Sequence, residues 1–315
     1  MKNVMEILNT LSQFPEIGDT TNILHGDMPG DKIEIGESHK QKAAKIFPVL
    51  VEKLKTILQQ NPNQRAVLCV CGGSGVGKSE IASLLGHALQ SCGVGSYVLS
   101  GDNYPHRIPA QNDAERLRVF RCGALQGLVA SGLYTETVKT QLQALQQQDV
   151  DADPAQCAEH PWLATYQAEG KKALAGYLGS EKEQNFAELS NIISQFKNGA
   201  DAIYLKRMGR TPLDLWYDLV DFSQTNVLII EWTHGNSDRY TGVDLPILLN
   251  STPQETLEHR RSRNRDGGVD HPFTTMVLEI EQRQLESQAH KAAIIVSKSG
   301  ELLSYADYRQ QMAQA

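Results

Sequence analysis

The run from Ala66 to Ser79 limits what this chain can fold into more than any other part of it. An apolar, β-branched segment, Ala66-Val67-Leu68-Cys69-Val70-Cys71, leads straight into Gly72-Gly73-Ser74-Gly75-Val76-Gly77-Lys78-Ser79. A buried strand ending in G-x-x-x-x-G-K-S implies a tight turn whose successive N–H groups point inward as an anion nest. Glycine permits that close backbone approach. Helical spacing follows at once in Ile81, Leu84, Leu85, Ala88 and Leu89. A helix starting near Lys78 would add the positive end of its dipole to the nest. The expected phosphate cradle comprises Gly72, Gly73, Ser74, Gly75, Val76, Gly77, Lys78, Ser79 and Glu80. In such a loop the lysine reaches the β- and γ-phosphates and the serine hydroxyl ligates Mg²⁺. A glycine-rich turn without nucleotide would leave the agreement of strand, loop, Lys-Ser and helix unexplained.

Composition narrows the remaining classes. At 315 residues the chain can bury one large α/β core, or a core plus a small accessory unit. A net charge of −7 argues against a broad nucleic-acid surface and leaves room for a local basic site. Cys69 and Cys71 stand two apart on the expected strand, which is neither a zinc spacing nor a redox C-x-x-C, so reduced buried thiols are expected. Residues 1–16 carry acids and no positively charged region before an apolar core, unlike a secretory signal. No apolar stretch approaches the roughly 20 residues that span a bilayer. The expectation is a cytoplasmic enzyme acting on a small molecule, without nucleic-acid or membrane partners; homo-oligomerisation is left open.

Residues 1–64 read as an N-terminal helical extension. Gly26, Pro29-Gly30-Asp31 and Gly36 signal turns, and Leu50, Leu54, Ile57 and Leu58 predict a helix from about Pro48 to Gln60, with Pro48 in its first turn. The nucleotide-binding core is expected over 65–315. It would hold strands at Gly95–Ser100, Asn226–Ile230, Asp244–Leu249 and Ala292–Val296, and a helical insertion at about 110–200. Within that insertion, residues 135–148 look like a solvent-facing helix and 149–154 like a turn. Strands separated by helical patterns imply an α/β fold, a mainly parallel sheet of about five strands with helices on both faces.

In open α/β sheets ligands gather at the C-terminal ends of the strands. Asp102 follows the second expected strand and Glu231 ends the third. Asp102 could accept the proton of a substrate hydroxyl, or merely cap a turn. Glu231 could hold Mg²⁺ with Ser79 or orient the nucleophile, or make a structural salt bridge. The segment at about 256–272 carries Arg260, Arg261, Arg263 and Arg265, with Arg261 and Arg265 on one helical face. These arginines could place charge beside a phosphoryl group or form a solvated basic helix. Lys206, Arg207 and Arg210 could grip an anionic substrate group or form a solvated turn. Trp232 and His234, just after Glu231, suit stacking on or hydrogen bonding to an acceptor, with core packing the alternative for Trp232.

Ser100-Gly101-Asp102-Asn103-Tyr104-Pro105-His106-Arg107, taken with GGSGVGKS, resembles the uridine kinase, phosphoribulokinase and pantothenate kinase group of P-loop kinases. The resemblance covers about residues 66–107 and, more loosely, 226–300. It implies the three-layer P-loop NTPase fold and Asp102 as catalytic base. It further implies Tyr104, His106 and Arg107 at the substrate, Glu231 as the acid ending the third strand, and a lid at about 256–272 whose arginines close over ATP and exclude water. Trp232 follows that acid where uridine kinases usually carry glycine, and the helical insertion exceeds a simple uridine kinase core. The implied activity is ATP- and Mg²⁺-dependent transfer of the γ-phosphate to a hydroxyl of a sugar, sugar phosphate, nucleoside or related metabolite. An adenylylsulfate-type acceptor is a variant. The competing class is a nucleotide-dependent switch such as a GTPase, but the guanine-reading N-K-x-D segment is absent.

Overall fold

The computed structural model describes residues 4–18, 20, 23, 25–252, 254–258 and 271–313. They form two compact units, one of residues 1–104, 185–256 and 284–315, the other of residues 105–184 and 257–283.

The first unit is built on a six-stranded sheet. Its strands are β1 (Ala66–Gly72), β2 (Ser96–Ser100), β5 (Val227–Glu231), β6 (Leu245–Leu249), β7 (Ile294–Val296) and β8 (Leu302–Leu303), in the order β2-β5-β1-β6-β7-β8. All neighbours pair in parallel except β8, which runs antiparallel to β7 at one edge. The four strands expected after β1 are therefore present, each starting one or two residues later, and β8 is added.

β1 and β5 are buried along their whole length because both faces of the sheet are covered. Leu68, Val70, Val227 and Ile229 point into a core shared with α2 (Glu37–Gln60) and α3 (Lys78–Ser91). Val67, Leu228 and Ile230 point to the opposite face, against Leu189, Ile193 and Phe196 of α7 (Phe186–Lys197). Each strand thus alternates between two cores, which is why it reads as a continuous apolar run.

The N-terminal segment is part of this unit. α1 (Val4–Thr10) and α2 contribute Val4, Leu8, Ile46, Phe47, Leu50, Val51, Leu54 and Leu58 to the first core. The expected start of α2 at Pro48 is corrected: the helix begins at Glu37 and carries Pro48 in its interior. An interior proline forfeits one helix hydrogen bond and costs about 3 kcal/mol. The buried stripe from Ala43 to Leu58, on both sides of Pro48, offsets that cost.

A second correction concerns Leu205–Arg210. Leu205–Met208 belong to β3 (Ala202–Met208), paired as an antiparallel hairpin with β4 (Leu215–Asp221), while Arg210 is exposed in the connection between the two strands. Arg65, just before β1, ties the base of this hairpin to α7. Its Nη1 donates to the carbonyls of Phe196 and Ala200 at 2.9 and 2.7 Å, and its Nη2 to that of Phe222 at 2.9 Å.

The second unit is helical. α4 (Pro109–Ala130) and α6 (Leu163–Tyr177) pack backbone to backbone because glycines lie on the contact faces. A Cβ at Gly123 would come within 2.2 Å of the Ala173 Cβ, and one at Gly127 within 2.5 Å of the Glu169 side chain. α5 (Glu136–Gln147), expected to face solvent, instead buries Val138, Leu142 and Leu145. Their i, i+4, i+7 spacing makes one face apolar enough to join a core that includes Phe120, Tyr166 and Met276, the last on α8 (Pro272–Gln288). Among the described residues no helix is long and apolar enough to cross a membrane.

Candidate active site

The phosphate loop connects β1 to α3. At Gly72 the backbone has φ 153°, and a Cβ there would lie 2.5 Å from the Leu249 carbonyl oxygen on β6. Gly77 caps α3 in the left-handed region at φ 94°, with His39 Nε2 2.9 Å from where its Cβ would be. Both positions accept only glycine without strain. Lys78 Nζ donates to the Gly73 carbonyl at 3.0 Å, folding the side chain over the loop. Glu80 is buried in the first turn of α3.

Register explains the next contacts. Glu231, the last residue of β5, pairs with Val70 on β1 and with Ser100 on β2. Its carboxylate is nearly inaccessible and is held by two hydroxyls: Ser100 Oγ donates to Oε1 at 2.5 Å and Ser79 Oγ to Oε2 at 3.0 Å. Burial pushes this carboxyl up to about 8, and the charge of Asp102 pushes the same way. The hydroxyl of Ser100, the ammonium of Lys78 and the hydroxyl of Ser79 pull it down. Lys78, Ser79 and Asp102, expected separately from the sequence, thus each act on Glu231. A hydroxyl and a carboxylate at this spacing beside a phosphate cradle are hard oxygen donors of the kind Mg²⁺ takes. A cation there would favour the ionised carboxylate that burial alone disfavours.

Asp102 is exposed on a 3₁₀ turn, Gly101–Asn103, that follows β2. Trp232 packs directly beneath: a Cβ at Gly101 would lie 2.1 Å from the indole ring. The large residue after the acid and the absent side chain before Asp102 are therefore complementary. Trp232 is 1% exposed, with Phe186, Tyr240 and His234 rings 5.3, 5.8 and 5.4 Å from its own. It takes the core-packing alternative, and His234 is buried beside it. Tyr104, expected at the substrate, is likewise fully buried, and desolvation raises its hydroxyl far above the usual range.

The cations divide in the same way. Arg207 is buried in an ion pair with Asp27 at 2.8 Å and reaches Asp218 at 3.1 Å and the Tyr97 hydroxyl at 3.1 Å. Lys206 is buried too. Arg210 is half exposed and pairs with Asp31 at 3.2 Å. His106 and Arg107 lie in the second unit, where His106 Nε2 is 2.9 Å from the Glu181 carbonyl oxygen and Arg107 Nη1 donates to the Tyr177 hydroxyl at 3.0 Å. Arg261 and Arg265 lie outside the described residues.

Sequence reasoning missed Asp27. It sits in a stretch, His25-Gly26-Asp27-Met28-Pro29-Gly30, whose only signal is turn composition. In the fold its carboxylate accepts from Ser100 N, Asn103 Nδ2 and Tyr97 Oη as well as from Arg207.

Over 251 residues the chain is 37% identical to the bifunctional alpha-galactosidase/sucrose kinase AgaSK of Mediterraneibacter gnavus, a match covering 80% of this chain and 22% of that protein. A match of that extent must run through the phosphate loop, Asp102 and Glu231. The chain spans about a fifth of the length of that relative. No protein-family model matches it. Among solved structures, a protein from Silicibacter sp. TM1040 described as a candidate fructose transport system kinase superimposes with a TM-score of 0.46 at 14% identity, covering 81% of this chain and 96% of that one. A candidate uridine kinase from Bacillus stearothermophilus gives 0.42 at 15% identity, covering 78% and 98%. Both overlaps are loose.

Proposed function

We propose that the chain is an ATP-dependent kinase that phosphorylates a hydroxyl of a small carbohydrate. The observation that carries this reading is the seat of Glu231, which is held between the Ser79 hydroxyl of the phosphate loop and the Ser100 hydroxyl at the entry to the Asp102 turn. That arrangement sets a phosphate cradle, a pair of metal-type oxygen donors and an exposed carboxylate side by side. A carbohydrate acceptor is favoured over nucleosides by the kinship with a protein named as a sucrose kinase.

In this reading the loop amides and Lys78 hold the β- and γ-phosphates, and Ser79 and Glu231 hold Mg²⁺, which neutralises charge on the phosphate oxygens when bound. Asp102 orients the acceptor hydroxyl and takes its proton as the oxygen bonds to the γ-phosphorus and the bond to the β-phosphate oxygen breaks, releasing ADP. Arg261 and Arg265 are assigned to the lid over the transferring phosphoryl group. The buried positions of Tyr104 and Trp232 leave substrate contact to other groups.

The test is ATP consumption with Mg²⁺ over a panel that begins with sucrose, fructose and other sugars and extends to nucleosides, with Lys78→Ala as blank. Sugar-dependent ADP formation is expected. Asp102→Asn should lower it about a hundredfold while leaving nucleotide affinity within about a factor of two. Nucleotide binding that no acceptor stimulates would overturn the kinase reading in favour of a switch, and a preference for GTP would strengthen that outcome.

A further inference from the structure

The N-terminal segment passes over the end of the sheet at the point where the chemistry is placed. Gly26 runs so close to Glu231 that a Cβ on it would lie 3.1 Å from Oε1 and 3.4 Å from the Ser100 Cβ. The next residue, Asp27, is almost wholly buried, and its two oxygens make different sets of bonds. Oδ1 accepts from the Ser100 amide at 2.8 Å and from Asn103 Nδ2 at 2.9 Å, one residue on each side of the Gly101–Asp102 peptide. Oδ2 accepts from the Tyr97 hydroxyl at 2.9 Å and from Arg207 Nη1 at 2.8 Å. Asn103 in turn accepts the Met208 amide at 2.9 Å through Oδ1, so the turn is also fastened to the end of β3.

Building a carboxylate into this position is costly unless its bonds are complete, because burial disfavours its charge. Four donors converge on it, from β2, the 3₁₀ turn and β3. β2 is an edge strand that pairs with β5 along Ser96–Ser100, and the bonds to Asp27 lie outside that ladder. Their common effect is to hold the short turn that carries Asp102, and to do so from a segment more than seventy residues earlier in the chain. The same segment packs beside Oε1 of Glu231, leaving Oε2 facing Ser79.

We propose that Asp27 is a positioning residue for phosphoryl transfer. It fixes the Asp102 turn against β2 and β3, while Gly26 lets the segment seat the carboxylate of Glu231. The inference rests on the kinase reading and on Asp102 as its base. Asp27 touches neither nucleotide nor acceptor; it acts through Asp102. A displacement of about 1 Å at a reacting group lowers rates about a hundredfold.

The experiment is a cycle with the full-length protein. Asp27→Ala and Asp27→Asn are each made alone and in the Asp102→Asn background, and kcat, KM for ATP and amide exchange at Ser100 are measured. Asp27→Ala is expected to lower kcat by about a hundredfold with KM for ATP little changed, and Asp27→Asn, which keeps an oxygen for the Ser100 amide, to recover at least part of that loss. In the Asp102→Asn background the further loss should be less than about twofold, since residues acting through one another are not additive. The Ser100 amide should exchange faster in the alanine variant than in the wild type, with no acceptor needed for the readout. If Asp27→Ala fails to fold, the asparagine variant in both backgrounds decides the matter. Equal losses in both backgrounds, or unchanged exchange at Ser100, would overturn the proposal. Full activity in Asp102→Asn alone would instead overturn the base assignment, and the exchange at Ser100 would then decide whether Asp27 seats the turn.

Discussion

At the scale of single residues, this site depends on what is absent as much as on what is present. Gly101 has no side chain because the indole of Trp232 occupies that space. The two residues form a packing pair: the departure from the small residue expected after the acid is matched by the missing Cβ one position before Asp102. Gly101→Ala is therefore expected to destabilise the protein by about 1–3 kcal/mol through overpacking, read as a lowered Tm. It should also depress kcat more than nucleotide affinity, because the displaced atoms carry Asp102. Combining it with Trp232→Leu should restore part of the lost stability, and no recovery at all would mean the turn is strained for another reason. The positions of Lys78 and Ser79 follow from fixed offsets after an apolar strand and glycine loop, and those of Asp102 and Glu231 from lying just after or at the end of an apolar strand. Tyr104 was expected at the substrate and Trp232 was left between substrate and core, because an aromatic beside a functional acid looks the same in sequence whether it faces a ligand or the core.

At the scale of elements, the strands were the readable part. A strand covered on both faces is apolar throughout, so β1, β5 and β6 announce themselves without periodicity. The β3–β4 hairpin does not, because β4 is largely exposed and β3 buries two adjacent cations, Lys206 and Arg207, one on each of its faces. Helix α2 was cut short at Pro48, since proline usually marks a first turn; here the apolar stripe on both sides of it carries the helix through. In the second unit the α4–α6 contact depends on Gly123, Gly127 and Gly170, whose absent side chains let the backbones close. Gly127→Leu should separate these helices and cost at least about 1–3 kcal/mol. The measurement is thermal unfolding by circular dichroism, together with Trp162 fluorescence as a reporter within that unit. An unchanged Tm would show that the helices can part without loss.

At the scale of the whole molecule, the first 60 residues are not an appendage. Ile46, Phe47, Leu50, Val51, Leu54 and Leu58 of α2 are buried against the sheet that carries the phosphate loop. Each large apolar side chain fully buried contributes about 1.5–3 kcal/mol, and whole domains are stable by only about 5–15 kcal/mol. A chain lacking residues 1–60 is therefore expected not to fold, giving insoluble protein or a spectrum without a cooperative transition. A truncation that leaves α2 intact and removes residues 1–30 should keep the sheet while losing Asp27, and with it most of the turnover. Soluble, cooperative folding of the shorter chain would sink this view of α2 as core.

What the sequence determined by itself was the local chemistry: a strand, a glycine loop, a lysine and serine at fixed offsets, and acids at the ends of two further strands. These are short-range facts, set by backbone conformation and by the need of a buried strand for apolar residues. Only the tertiary structure decided which of the remaining polar groups meet. The parallel register brought Ser100 beside Glu231 from positions 131 residues apart, and the path of the N-terminal segment delivered Asp27 to the Asp102 turn. No spacing rule connects such residues, because their proximity is produced by the packing of distant elements rather than by the geometry of any one of them.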